Sequence, residues 1–124
     1  MSFFFAILMA LLHIYIFFLE SVFWGKAFVN RLFRVGASDA VLLKKMAFNQ
    51  GFYNLFLSIE LLTGLAFFHL GKKETGTALL VYGALSVLGA GAVLLVSDKK
   101  LIRPALIQVL PALLFLVQIG RAHV

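Results

Sequence analysis

The chain has no cysteine and few charged residues, and both absences restrict what it can be. Without thiols it forms no disulfide, no thiolate metal site and no cysteine nucleophile. Only 13% of its residues are charged and 63% are hydrophobic, whereas soluble domains average about 25% charged residues. A soluble fold of this length buries only about two-thirds of its surface, which would leave much of its 14 phenylalanines in water. The composition therefore excludes a soluble globular domain and indicates a lipid environment.

Acidic residues are scarcer than basic ones, since 5 Asp and Glu stand against 11 Lys and Arg. In a soluble protein such an excess is typical of nucleic-acid binding. Here the basic residues lie in segments between apolar runs, where they contact lipid headgroups and set the orientation in the membrane. We expect membrane lipids as partners and no nucleic acid.

Four apolar runs cover approximately residues 3–24, 46–70, 76–96 and 101–119. Each is close to the ~20 residues that a helix needs to cross the hydrocarbon core. The first run lacks a basic flank and a cleavage site, so we interpret it as a retained span and not a signal peptide. The predicted fold class is all-α: one integral membrane domain, residues 1–124, forming an antiparallel four-helix bundle.

The link between the first two spans is longer than the others. Apolar residues recur at helical spacing over residues 26–35, which predicts a short interfacial helix. Ser38 or Asp39 can then cap a second helix that begins in water and enters the bilayer near Met46.

Ionisable side chains are expensive within a membrane and usually mark functional or paired positions. We single out eight ionisable or polar side chains at membrane depth: His13, Glu20, Asn49, Gln50, Tyr53, Asn54, Glu60 and Gln108. His13 and Glu20 share one face of the first predicted span. Gln50, Tyr53 and Asn54 share one face of the second predicted span. Glu20 and Gln50 both lie roughly 6 Å below the membrane boundary, at 1.5 Å per residue. We therefore predict a shallow cluster in which the Glu20 side chain lies within hydrogen-bonding reach of at least one of Asn49, Gln50, Tyr53 or Asn54.

A deeper polar layer is expected where His13 and Glu60 come within about one helical turn of each other in depth. Either layer can be a hydrogen-bonded staple between helices, since such bonds average about 0.6 kcal/mol in membranes, or a ligand or proton site. A metal site is disfavoured because one histidine and carboxylates at different depths give poor zinc geometry. Neither a nucleophile motif nor a glycine-rich phosphate loop is present, so the sequence identifies no catalytic residue and no cofactor.

Two strings carry a family resemblance: LHIYIFFLE at residues 12–20, with Trp24 following, and NQGFYN at residues 49–54. With the length and the four spans, they resemble small bacterial membrane proteins catalogued as domain of unknown function 1304. The resemblance covers essentially the whole chain and implies a location in the bacterial cytoplasmic (inner) membrane. It also implies His13, Glu20, Asn49, Gln50, Tyr53 and Asn54 as the family's polar cluster. Glu60 falls where a small or apolar residue is expected, and the resemblance brings no activity.

Four functions stay open from the sequence. The favoured one is binding of a small amphipathic or lipid-like molecule, such as a quinone, because apolar pockets with a few polar groups suit such ligands. The candidate ligand-binding residues are the six of the family cluster, with Glu60 and Gln108 as additional polar candidates. The alternatives are a structural subunit of a larger complex, a small proton-coupled transporter acting as a homo-oligomer, and an enzyme with Glu20 or His13 as acid or base.

The distribution of basic residues predicts the orientation of the chain. The first and third links contain eight basic residues: Lys26, Arg31, Arg34, Lys44, Lys45, Lys99, Lys100 and Arg103. The second link and the C-terminal tail contain three: Lys72, Lys73 and Arg121. Because basic links stay in the cytoplasm, we expect both termini on the opposite side. Reporters that are active only outside the cytoplasm, fused to either terminus, should both be active. A reporter at either end that is active only inside would contradict the orientation.

Overall fold

The computed structural model of the chain describes residues 3–122, and the elements within that range are helical. They are α1 (Phe4–Phe17), a π-helical segment (Phe18–Val22), α2 (Ala27–Phe33), α3 (Ala37–Leu42), α4 (Lys44–His69), α5 (Lys73–Ser97), a 3₁₀ turn (Lys99–Leu101) and α6 (Ile102–Ala122). Four helical stretches are long and apolar enough to cross a membrane: Phe4–Val22, Lys44–His69, Lys73–Ser97 and Lys99–Ala122. The predicted all-α four-helix bundle is confirmed, and the chain is a multi-pass membrane protein.

The link between the first two spans contains two short helices where the sequence predicted one. Helix α2 lies inside the predicted range 26–35, and α3 follows it before α4 begins. Ser38 and Asp39 do not cap a helix, because α3 begins earlier, after Gly36, and has no side-chain cap. Asp39 instead lies in the first turn of α3, where a carboxylate interacts favourably with the helix dipole. The capping prediction was therefore wrong.

The link is held against the end of the first span. Gly25 turns the chain there with φ +89°, a conformation that is strained for residues with a Cβ. The Trp24 indole N–H donates to the Ala40 carbonyl oxygen at 2.8 Å, which joins the end of the span to α3. Val29 of α2 is fully buried. The link is thus a packed element held at the end of the first span.

The four long helices form a ring in which α1 contacts α4 and α6, and α5 contacts α4 and α6. The terminal end of the bundle is the end where α1 starts, α4 turns into α5 and α6 ends. The link end is the opposite end, where α2 and α3 lie. The apolar core lies toward the terminal end and consists of Ala6, Met9, Ala10, Leu61, Leu65, Leu80, Ala84, Val87, Ala112, Phe115 and Ile119. Large apolar side chains also cover much of the exposed surface, as a surface in contact with lipid requires.

Glycines let neighbouring helices approach closely in this bundle. A Cβ added at Gly76 of α5 would lie 2.7 Å from the carbonyl oxygen of Gly64 on α4. A Cβ at Gly51 of α4 would collide with the Ser21 side chain of the first span, and one at Gly91 of α5 with Val109 of α6. Small residues at helix contacts are typical of membrane proteins, because packing and not hydrophobicity drives association in lipid. Glycines thus allow close contacts between the first span and α4, between α4 and α5, and between α5 and α6.

The close contact at Gly76 predicts that a larger side chain at this position destabilises the bundle. Gly76→Val places side-chain atoms against the α4 backbone, and we expect it to lower the free energy of unfolding by about 1–3 kcal/mol, as overpacking does. Gly89→Val on the same helix is the matched control, since a Cβ at Gly89 meets nothing within 4 Å. Unfolding titrations in mixed micelles compare the two variants. Equal losses of stability would contradict the close helix contact.

Candidate functional site

Glu20 lies in a π-helical turn at the end of the first span. The Phe23 N–H donates to the Phe18 carbonyl oxygen at 2.8 Å, a bond that spans five residues. Isolated π turns within α-helices occur frequently at functional sites. The sequence predicted a regular helix to Trp24, because the apolar pattern gives no signal for one widened turn. The π turn sets the direction in which the Glu20 side chain leaves the helix.

The π turn packs against α4 at Gly51. The Ser21 side chain packs against Gly51, and its hydroxyl donates to the Phe48 carbonyl oxygen at 2.8 Å. The glycine inside the NQGFYN string is therefore a contact point between the first span and α4. Ser21 was not among the residues predicted for the site, and its role depends on this tertiary contact.

Glu20 and Asn54 are joined by a hydrogen bond. The Asn54 side-chain amide donates to Glu20 Oε2 at 2.9 Å and to the Gln50 carbonyl oxygen at 3.0 Å. Since both partners are acceptors, both amide hydrogens are engaged and the Asn54 Oδ1 atom is left as an acceptor. The contact that the sequence predicted between Glu20 and the polar face of α4 is present.

This pair borders a cavity of about 400 Å³ at the link end of the bundle. All four membrane-spanning stretches and α2 contribute to its wall: Leu12, Tyr15, Ile16, Leu19, Glu20, Leu32, Phe33, Gln50, Tyr53, Asn54, Leu57, Ala90, Leu94, Leu101, Pro104, Ile107 and Gln108. Tyr15 and Tyr53 are more than half exposed, so they form part of an open rim. Tyr53 is thus a rim residue and not a hydrogen-bond partner of Glu20 in the described part of the chain.

The wall is polar near the link end and mostly apolar toward the middle of the bundle. Glu20 and Gln50 are the wall residues of their helices that lie nearest the link end, whereas Leu12 and Leu57 lie deepest. Gln108 of α6 is the polar exception at depth. The cavity therefore offers a polar end beside the predicted membrane boundary and an apolar end inside the bilayer.

The remaining predicted residues lie outside this cavity. Asn49 is exposed and does not contribute to the wall. His13 is buried, and its Nδ1 donates to the Met9 carbonyl oxygen of its own helix at 2.8 Å. Glu60 lies beside Gly83 of α5, where an added Cβ would be 3.9 Å from the carboxyl carbon.

Within residues 3–122, His13 and Glu60 share no hydrogen bond or ion pair, so the two residues do not form the deeper polar layer that their depths suggested. The polar contact between helices at this depth is made by Ser58, whose hydroxyl donates to the Ala10 carbonyl oxygen at 2.9 Å. Sequence reasoning also missed Ala90 and Leu94, the apolar residues that α5 contributes to the cavity wall. Nothing in the sequence distinguishes these two residues from other apolar residues in the span.

Comparison with known proteins gives a family but no activity. A family model described as "Protein of unknown function (DUF1304)" matches residues 7–119. This range contains every residue of the cavity wall. No curated protein and no solved structure matches the chain.

The cavity predicts different chemical reactivity at two adjacent positions of α5. The chain has no native cysteine, so single cysteines can be introduced at Ala90, which lines the cavity, and at Gly89, which is exposed outside it. Thiols react as thiolates, which need water, so a water-soluble maleimide should label Ala90→Cys about tenfold faster than the lipid-facing Gly89→Cys. Labelling rates in membranes, read by mass spectrometry, test this. Equal rates at the two positions would show that the cavity is closed to water.

Proposed function

The chain belongs to the DUF1304 family, and we propose that it binds a small amphipathic molecule in this cavity, with Glu20 as the polar anchor. One observation carries the proposal: a hydrogen-bonded carboxylate borders a largely apolar cavity of about 400 Å³. Ligand pockets in proteins have volumes of about 300–1,000 Å³ and mostly apolar walls with a few placed polar groups. Both properties fit this cavity.

The polarity of the wall supports an amphipathic ligand in one orientation. The polar head of such a molecule would contact Glu20, Gln50 and Asn54 near the link end, and its apolar part would extend toward Leu12 and Leu57. That orientation matches the bilayer, since the headgroup region lies next to the link end and the hydrocarbon core lies beyond it. The open rim at Tyr15 and Tyr53 gives a lipid-like molecule a lateral entry path.

A structural staple alone does not account for Glu20. Ser58 already joins α4 to the first span by a hydroxyl hydrogen bond. A polar bond between membrane helices averages about 0.6 kcal/mol, whereas a charged side chain costs up to about 2.5–3.5 kcal/mol at the centre of a span. A neutral amide in place of the carboxylate would hold the helices equally well. The carboxylate is therefore better explained by a ligand.

The interior of the bundle is packed at the terminal end. In this bundle the interior beyond the cavity is filled by fully buried core residues, among them Met9, Leu61 and Phe115. The cavity opens at the link end and along its flank, as a binding site for a membrane-dissolved molecule does.

The experiment compares Glu20→Gln with Glu60→Gln, a second carboxylate within a span that lies outside the cavity wall. The proteins are extracted with their surrounding lipid in a polymer, and bound small molecules are identified by native mass spectrometry. We expect a molecule that co-purifies with the parent and with Glu60→Gln, and is about tenfold depleted in Glu20→Gln, because a charge-assisted hydrogen bond is lost. The melting temperatures should stay close to that of the parent.

Two results would overturn the proposed function. One is a parent protein from which no small molecule is released. The other is a bound molecule that Glu20→Gln retains at the level of the parent. Either result would leave the contact between Glu20 and Asn54 as a helix staple.

A further inference from the structure

We infer that the polar head of the ligand is a cation, and that the cavity accepts an amphiphile with a protonated amine. The inference rests on the proposed function and specifies its ligand class. The observation behind it is the Glu20 carboxyl group in a cavity to whose wall no basic residue of the described range 3–122 contributes.

The cavity wall contains an acidic residue but no basic residue among those that the structure describes. Among the wall residues that the structure describes, Glu20 is the one with a carboxyl group and none is Lys, Arg or His, although the chain as a whole has a net charge of +6. Within residues 3–122, Glu20 makes no ion pair, and its hydrogen-bond donor is the neutral amide of Asn54. Charges that are partly buried in a protein are screened less than charges on its surface. A cationic head would therefore be attracted to Glu20, whereas a phosphate or carboxylate head would be repelled without a compensating cation.

The hydrogen-bonding groups beside Glu20 point to a donor on the ligand. Both amide hydrogens of Asn54 are engaged, by Glu20 and by the Gln50 carbonyl oxygen. The Ser21 hydroxyl donates to Phe48. The atoms of this Glu20–Asn54 pair that remain available are acceptors, namely Glu20 Oε1 and Asn54 Oδ1. An ammonium has three donors and no acceptor, which complements these two atoms.

Aromatic residues add to the attraction for a cation. Tyr15, Phe33 and Tyr53 all contribute to the cavity wall. The faces of aromatic rings attract ammonium groups electrostatically, and alkylated ammonium ligands are commonly bound by several rings together. The same rings provide apolar contact for the carbon atoms next to the nitrogen.

The basic residues of the links do not oppose this assignment. The eight basic residues of the first and third links are all exposed, and none contributes to the wall. Water and salt screen exposed charges over about 8 Å at physiological ionic strength, and lipid phosphates neutralise them further. Glu20 lies inside the bundle, where screening is weaker.

The test measures binding of three probes with the same ten-carbon chain and different heads: decylamine, decanol and decanoate. The full chain is placed in phosphatidylcholine nanodiscs near neutral pH, where the amine is protonated as lysine is. Binding of each radiolabelled probe is measured by equilibrium dialysis, and binding to empty nanodiscs is subtracted. We expect decylamine to bind about tenfold more tightly than decanol, and decanoate to bind most weakly.

The Glu20→Gln variant should lose about tenfold in decylamine affinity and keep its affinity for decanol, since it loses the charge but not the cavity. Glu60→Gln, which also removes a carboxylate, should bind all three probes as the parent does. The ranking of the three heads by the parent protein tests the inference even if a variant does not fold.

The failures are distinguishable. Parent protein that binds decanol or decanoate as tightly as decylamine would overturn the cationic head and leave the proposed function standing. Parent protein that binds none of the three above the empty nanodiscs would overturn the proposed function itself.

Discussion

Glu20 lies within a membrane-spanning helix, where its carboxyl group needs a polar partner inside the protein, and Asn54 of α4 supplies one at 2.9 Å. This bond fixes how the first span and α4 are rotated about their axes. The contact also requires the two helices to approach closely, which Gly51 allows by giving space to Ser21. The π turn completes the arrangement, because it sets where Glu20 leaves the helix. The NQGFYN string thus supplies both the space and the polar partner for one carboxylate.

The cavity follows from how the four long helices pack along their length. Glycines allow close contacts between neighbouring helices, at Gly51, Gly76 and Gly91. Toward the terminal end, residues such as Met9 and Phe115 fill the interior between the helices. Toward the link end, a space of about 400 Å³ remains beside Glu20. The interior is therefore packed at one end of the bundle and open at the other, beside the carboxylate.

Much of this arrangement could be predicted from the sequence, because hydropathy and depth are local properties. The predicted first span, residues 3–24, corresponds to Phe4–Val22 in the structure. The contact between Glu20 and α4 followed from matched depth and a shared helix face. Similar depth alone did not predict a contact between His13 and Glu60 correctly, since His13 bonds to its own helix and Glu60 lies beside α5. The π turn and the apolar cavity wall could not be predicted, because they depend on contacts between helices that leave no periodic signal.

An experimental structure of the protein, crystallised from a lipid mesophase after extraction with its native lipids, tests the role of Glu20 most directly. If the cavity is a binding site, elongated density will lie between the long helices, inside the cavity. Its polar end will be within hydrogen-bonding distance of the Glu20 carboxylate, and its apolar end will point toward Leu12 and Leu57. Long helices that pack together without a cavity, with Glu20 bonded to Asn54 and no space beside it, would contradict a ligand site and leave the hydrogen bond as a purely structural contact.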